Sequence, residues 1–353
     1  MSSPTETPET PGTLGVPGPA RGGAPAATTR PALRVSGLTT TFERGGRQVL
    51  AVRGVDLDVA PGESLVLLGE SGSGKSVTIR SILRLYGSSA RHSGSVVLGE
   101  QDLMSLDAAA VRAVRGRTLA MVPQDPNGSL DPLRPVGRQL EQVLRLHGVA
   151  ADRRAARARA LELLALVGIP GPARVAGSHP HELSGGMRQR VAIAIAVACD
   201  PVVLLADEPT TALDVTVQSQ ILDLFGDLRE RLGTALLLVT HDVSVAADVA
   251  DRVAVMYAGS VVEEGPAREV LENPRHPYTQ ALLDAVPRPT SVRGHLKAIP
   301  GSPPVAGARF DGCSFAERCA LAQPSCRAQA PALLPVAEGH RAACPVANPG
   351  VAA

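Results

Sequence analysis

The stretch Leu65-Val-Leu-Leu-Gly69-Glu-Ser-Gly72-Ser-Gly74-Lys75-Ser76 decides the fold. Four apolar residues, Leu65–Leu68, read as a buried strand, and the glycine-rich run behind them matches G-x-x-x-x-G-K-[ST] with a helical pattern directly after it. Glycines at 69, 72 and 74 let backbone N–H groups curl around phosphates, while Glu70, Ser71 and Ser73 supply the rest of the loop. Lys75 reaches terminal phosphates, Ser76 can hold Mg²⁺, and Val77 opens a helix whose positive end favours anions. Of 35 basic residues only two are Lys, and one of them occupies this slot.

Working outward, short β-branched and Leu-rich runs alternate with helical patterns, the mark of an α/β fold with a largely parallel sheet. The pattern predicts strands at Leu33–Leu38, Ser64–Leu68, Val96–Leu98, Thr118–Val122, Val202–Ala206, Ala235–Thr240 and Arg252–Tyr257. It predicts helices at Lys75–Leu85, Val136–Leu146, Asp152–Val167, Gly186–Ala198 and Val215–Leu232. No strand pattern appears between Pro123 and His181, so a helical subdomain at about 124–183 is expected inside a nucleotide-binding domain spanning 31–272. Residues 1–30 are Pro-, Gly-, Ser-, Thr- and Ala-rich and read as a disordered tail. From 273 to 353 the chain turns Pro-rich and carries four of the five Cys, which marks a C-terminal extension.

Composition narrows the function classes. The 35 basic and 34 acidic residues nearly cancel, and three Tyr, four Phe and no Trp leave little for a base-stacking surface, so no nucleic-acid partner is expected. The longest strongly apolar run, Val191–Cys199, is nine residues, against about 20 for a membrane-spanning helix. The first 30 residues lack the basic start and apolar stretch of a signal peptide, which gives a cytoplasmic expectation.

Two more motifs carry chemistry. VVLLADEPT delivers Asp207 and Glu208 at the carboxyl end of a strand, where open α/β sheets bind ligands. There Asp207 would sit near Mg²⁺ and Glu208 would polarise the attacking water. His181-Glu-Leu-Ser184-Gly185-Gly186 opens a long helix and forms a second anion-seeking terminus. Taken alone, each has a plainer reading as a capped helix; the order of the three motifs argues against it.

In that order the chain resembles the ATP-binding-cassette (ABC) ATPases, a P-loop NTPase (RecA-like) fold. The resemblance implies that two cassettes close head to tail, with Ser184, Gly185 and Gly186 contacting the γ-phosphate bound by the opposite subunit. Gln124 in MVPQD resembles the Q-loop glutamine that senses Mg²⁺ and water, Asp214 in TTALD the D-loop aspartate, and His241 in LLLVTHD the switch histidine. Phe42 in TTTFERGG resembles the aromatic that stacks on adenine. QDPNGSLDPLRPVGRQL at 124–140, HPYTQALLDAVP at 276–287 and IPGSPP at 299–304 resemble ATPases of oligopeptide, dipeptide and nickel importers. This implies ATP hydrolysis coupled to solute uptake, a second ATPase subunit (copy or paralogue), two membrane permease subunits, an extracytoplasmic solute-binding protein, and a place on the cytoplasmic face of the cell membrane. Soluble cassettes of translation or repair usually have two fused cassettes or a long coiled coil, and neither is apparent; an exporter ATPase is the other alternative.

Cys313, Cys319, Cys326 and Cys344 are separated by five, six and 17 residues. A reducing compartment disfavours disulfides, and zinc usually shows a C-x₂₋₄-C pair. A four-thiolate iron–sulfur site tolerates longer spacings, zinc and unligated thiols remain as alternatives, and the resemblance points to a [4Fe–4S] cluster.

Overall fold

A computed structural model describes residues 30–211, 213–286 and 298–347. The tail expected over 1–30 lies outside the described residues except for Arg30. Instead of one sheet there are two. The smaller is antiparallel, with order β2-β1-β4-β5, from β1 (Leu33–Arg44), β2 (Arg47–Val59), β4 (Ala90–Leu98) and β5 (Gln101–Asp102). The larger runs β11-β12-β10-β9-β3-β8-β7-β6. Its members are β3 (Ser64–Leu68), β6 (Leu119–Val122), β7 (Val203–Asp207), β8 (Ala235–Thr240), β9 (Arg252–Tyr257), β10 (Ser260–Pro266), β11 (Leu334–Ala337) and β12 (His340–Ala342). Strands β9, β3, β8, β7 and β6 are mutually parallel, and β10, β12 and β11 add antiparallel at one edge.

Strand β2 was absent from the sequence-based expectation because Arg53 and Gly54 interrupt its apolar run. Val55, Leu57 and Val59 nevertheless alternate inward, as a half-covered strand requires, and Val52 is buried beyond a shift in register. Strand β3 is buried along its whole length between β8 and β9, which explains its uninterrupted apolar run.

Helix α1 (Lys75–Ile82) is shorter than expected, because the chain leaves the helical region at Arg84, which has φ +52°. Helix α2 (Ala108–Val114) precedes β6; α3 (Pro126–Ser129), α4 (Val136–Leu146), α5 (Arg153–Leu166) and α6 (Pro172–Val175) follow it. Helix α7 (Gly185–Ala196) leads into β7, and α8 (Val215–Leu232), α9 (Val243–Val249), α10 (Ala267–Glu272), α11 (Pro277–Asp284) and α12 (Pro324–Ala328) complete the order. Among the described residues no helix is long and apolar enough to cross a membrane.

The C-terminal region shares the main core. Phe315 is buried against Tyr257 and Tyr278, with ring centroids 5.3 Å apart in each pair. Strand β12 pairs with β10 through Glu263↔Ala342 and Glu264↔Arg341. Below it, His340 Nε2 and Glu263 Oε1 lie 2.7 Å apart with both side chains fully buried. Glu263 also accepts from the backbone N–H groups of Arg275 (2.6 Å) and His276 (2.9 Å). A buried carboxylate with several donors is satisfied, and removing one partner would leave an uncompensated charge.

His276 caps α11 by accepting from the Tyr278 amide, and burial pushes its pKa down from 6.5 to about 4. Between those values the unfolded chain takes up a proton that the folded chain refuses, so this contribution is complete above pH 6.5 and is lost as pH falls toward 4. His276→Asn keeps an N-cap acceptor that does not titrate. Its urea midpoint should therefore drop less between pH 7 and pH 5 than that of the wild type; an identical drop would contradict this assignment.

Candidate nucleotide site

The phosphate loop leaves β3 through Gly69, whose φ is +156°; a Cβ there would collide with the Met256 carbonyl oxygen on β9. Gly74 (φ +107°) caps α1, and a Cβ on it would lie 2.9 Å from the Ala51 carbonyl oxygen. These two positions require glycine because backbone approaches from both sides. The Ser73 hydroxyl is buried and has no hydrogen-bond partner among the described residues, and the Lys75 ammonium is folded back onto the carbonyls of Gly69 (2.7 Å) and Glu70 (2.9 Å). Burial pushes the Lys75 pKa down, and the nearby carboxylates of Glu208, Asp207 and Glu70 oppose that shift. Such a loop offers amides, an orphaned hydroxyl and a cation to a polyphosphate, and so fits one.

Across from the loop, β7 delivers both acids. Asp207 is fully buried; it accepts from the Ser76 hydroxyl at 2.6 Å and pairs with Arg80 at 2.9 Å. A hydroxyl and a carboxylate in direct contact are hard oxygen donors of the kind Mg²⁺ takes. Glu208 has φ +45°, a costly conformation for a residue with a Cβ, and its amide is fixed by a bond to the Val239 carbonyl at 3.0 Å. Its Oε2 gathers Thr211 Oγ1 (3.1 Å), His241 Nδ1 (3.1 Å) and Gln124 Nε2 (3.3 Å), while Oε1 lies 3.9 Å from Lys75 Nζ. Four elements thus converge on one carboxylate.

A cavity of about 360 Å³ opens over this group, within the range of small-molecule sites. Gly72, Gly74, Lys75, Ser76, Val77, Gln124 and Glu208 line it. Ser184, Gly185, Gly186 and Asp214 do not. Ser184 caps α7 through the Met187 amide at 3.3 Å, and both Ser184 and Gly185 are exposed. Asp214 caps α8 through the Val217 amide at 2.9 Å. Phe42 is also apart from the cavity: its ring stands edge-on to Tyr86 at 4.9 Å, in β1 opposite Val49 and Ala90.

Sequence reasoning missed the side chains that come from far along the chain. Arg318 is buried and grips the Glu70 carboxylate with two bonds of 2.7 and 3.1 Å, while its Nε donates to the Pro300 carbonyl at 2.8 Å. The Glu70 amide donates to the Tyr278 hydroxyl at 2.9 Å. The phosphate loop is therefore held from outside by the C-terminal region. Arg53 and Phe310 also line the cavity. No local pattern marks these residues, because their meaning arises only from pairing at separations as large as 255 residues.

The four clustered cysteines are all free thiols, and together they border one small cavity of about 10 Å³ with apolar neighbours such as Phe315 and Ala316. Burial pushes the Cys313 and Cys319 thiols up. Among the described residues no group of three or more His, Cys, Asp or Glu side chains is disposed to hold a metal ion. The thiols are neighbours, and no metal-holding group among the described residues supports the iron–sulfur expectation. His340, the other ligand candidate nearby, is taken by Glu263.

A parallel sheet with a phosphate loop and two acids at its carboxyl edge defines a P-loop ATPase. Comparison with known proteins extends this. The ABC transporter family matches residues 52–211, and the oligopeptide/dipeptide transporter C-terminal region matches residues 262–326. Two Brucella abortus proteins named as peptide import ATP-binding proteins are each 47% identical to the chain. One alignment covers 328 residues, 89% of this chain and 97% of the relative; the other covers 318 residues, 90% and 95%. Among solved structures, the ATP-binding cassette MJ0796, in a dimeric post-hydrolysis state bound to ADP and Pi, is 32% identical with a TM-score of 0.60, covering 67% of this chain and 99% of that one. The cbiO1 protein of Clostridium perfringens, part of the ABC transporter complex cbiONQ, is 26% identical with a TM-score of 0.58, covering 69% and 91%. The chain belongs to the ABC transporter ATPase family and carries the oligopeptide/dipeptide transporter C-terminal region. It is an ATPase, and ATP and Mg²⁺ are its expected ligands.

The Arg318–Glu70 contact has a measurable consequence. Arg318→Met leaves the Glu70 carboxylate unpaired beside bound phosphates, so ATP affinity should fall about tenfold, as for loss of a charge-assisted pair. Glu70→Gln in the same chain should restore much of it. Equilibrium ATP binding by the two variants checks this, and unchanged affinity in Arg318→Met would contradict it.

Proposed function

We propose that this chain is the ATP-hydrolysing subunit of an importer for peptides or similar small solutes. It would work with a second cassette, two membrane permease subunits and an extracytoplasmic solute-binding protein, on the cytoplasmic face of the membrane. The observation that carries the catalytic part is the convergence of Lys75, Gln124, Thr211 and His241 on the Glu208 carboxylate at the mouth of the phosphate loop. The two family matches and the names of the relatives support the transport part.

In this reading the amides of Gly69–Gly74, the Ser73 hydroxyl and Lys75 bind the phosphates, and Ser76, Gln124 and Asp207 hold Mg²⁺. The ion would neutralise charge on the phosphates. Glu208 orients water and accepts its proton as the water oxygen bonds to the γ-phosphorus and the bond to ADP breaks. His241 and Gln124 fix the carboxylate and contact the γ-phosphate side. Phosphoryl transfer asks mainly for positioning and charge stabilisation, which this set supplies. Ser184–Gly186 and Asp214 serve the nucleotide of the partner cassette, a role supported by their exposure away from this chain's own cavity. Helices α3–α6 make up the helical subdomain, and Gln124 at its root links the site to the face toward the permeases. The four-cysteine cluster keeps one support, the shared cavity, and iron analysis of anaerobically purified protein decides it: about four irons per chain restores it, and none removes it.

Glu208→Gln should bind ATP yet lose hydrolysis by on the order of 10²-fold or more. Wild-type turnover in the purified transporter carrying Glu208→Gln would sink the assignment. Gly185→Asp tests the trans role, because a Cβ at Gly185 meets nothing nearer than Leu213 Cδ2, at 4.0 Å, and an acidic residue suits the first turn of a helix. ATP should still bind to the open subunit while turnover collapses through repulsion of the partner's γ-phosphate; normal turnover would remove the role.

A further inference from the structure

A second cavity, of about 510 Å³, opens where the chain leaves α1, and it shares no lining residue with the nucleotide cavity. Arg84 just past α1, Arg112 of α2, Arg115 at the end of α2 and His92 of β4 contribute to its lining. No carboxylate is among the described lining residues.

Two of the three guanidiniums are fixed in place. Arg84 Nη1 donates to the carbonyls of Leu103 (2.8 Å) and Leu106 (2.6 Å). Arg115 donates through Nε to the Leu83 carbonyl (2.8 Å) and through Nη2 to that of Arg84 (2.7 Å). A guanidinium carries five N–H donors, so both keep donors for a ligand. Arg112 is exposed. Asp107 attracts it, but that carboxylate is held by the amides of Ala109 (2.9 Å) and Ala110 (2.8 Å) and lies outside the lining. Burial, and then the charges of Arg84 and Arg112, push the Arg115 pKa down, as like charges without a counter-ion do.

His92 adds a different demand. The Thr40 hydroxyl donates to Ser81 Oγ at 2.8 Å, so at 3.2 Å from His92 it accepts the Nδ1 proton. The other ring nitrogen, Nε2, is then an acceptor, and it is buried with no hydrogen-bond partner among the described residues. Burial and the Arg84 charge push the ring's pKa down, toward the neutral form. A ligand hydroxyl would satisfy that nitrogen, whose isolation otherwise costs free energy.

We propose that this cavity binds a phosphate ester that carries a hydroxyl, with the phosphate on Arg84, Arg112 and Arg115 and the hydroxyl on His92 Nε2. Guanidinium forks match phosphate oxygens, and a phosphate presents acceptors on more than one side, as three converging cations require. Leu85 and Met104 supply an apolar wall for the carbon part of the ester. The site is independent of the ATP reading above. Its chemistry is met equally by a free phosphate ester and by a glycerophosphate lipid headgroup.

The test titrates the full chain with glycerol 3-phosphate and with inorganic phosphate, each with and without saturating Mg-ADP, and measures flotation with phosphatidylcholine vesicles with or without phosphatidylglycerol. Glycerol 3-phosphate should bind with Mg-ADP present and more tightly than inorganic phosphate. Arg112→Gln should weaken it about tenfold, the scale of a charge-assisted bond. His92→Leu should weaken glycerol 3-phosphate about fivefold and leave inorganic phosphate unchanged. Arg268→Gln, an exposed arginine on α10, should change nothing. Arg112-dependent flotation with phosphatidylglycerol, without binding of the free ester, would assign the site to a lipid headgroup and support the same chemistry. The proposal is overturned if neither the ester nor the vesicles bind, if Mg-ADP displaces the ester, or if inorganic phosphate binds as tightly. It is overturned equally if Arg112→Gln has no effect or if Arg268→Gln causes the same loss. Should His92→Leu not fold, Arg112→Gln still decides, because its side chain lies exposed on α2.

Discussion

The close approach of the phosphate loop to strand β9 is the constraint on which the rest of this molecule depends. Gly69 lies against the Met256 carbonyl and Gly74 between Ala51 and Gly259, so neither position has room for a side chain. The loop's shape is therefore set by its neighbours as well as by its own sequence. Ala51 belongs to β2, while Met256 and Gly259 belong to the β9–β10 hairpin, which pairs through β12 with the C-terminal region. A displacement of that region would be felt at the loop through backbone contacts, since packed interiors transmit strain.

The second dependency is electrostatic. Asp207 and Glu208 stand side by side at the end of a buried strand, and two adjacent carboxylates there need compensation. Arg80 and Ser76 satisfy Asp207, while Lys75, Gln124, Thr211 and His241 surround Glu208. The two acids are thus separated in role by their partners. Glu208 also holds a left-handed backbone, strain of the kind found where precise aim matters more than stability. His241 remains half exposed, so this cluster is open to the side on which a nucleotide and a partner surface would arrive.

The features legible in the sequence were those written in contiguous residues. The phosphate loop, the acids after β7 and the capped start of α7 each follow from a short run whose backbone requirements are local. Strand β2 was missed because two non-apolar residues break its run, and β11 and β12 because each is only a few residues long and depends on pairing with β10. Phe42 stands edge-on to Tyr86, a contact between separate elements that no local run of sequence announces. Arg318, Arg53 and Phe310 could not be seen at all, since each acquires its role from a partner on another element. For the cysteines the spacing correctly singled out four residues that become neighbours, but proximity of thiols is not yet a ligand geometry.

The start of α7 is exposed and lies outside the cavity that the phosphate loop lines. Both belong to an account whose central claim is that ATP occupies the cavity between the phosphate loop and the C-terminal region. Photolabelling with 8-azido-ATP followed by peptide mapping tests that claim most directly. The account predicts a label on a residue in or beside the cavity lining, suppressed by excess ATP. A label that excess ATP suppresses but that falls far from the phosphate loop, for example on the peptide bearing α5, would contradict it.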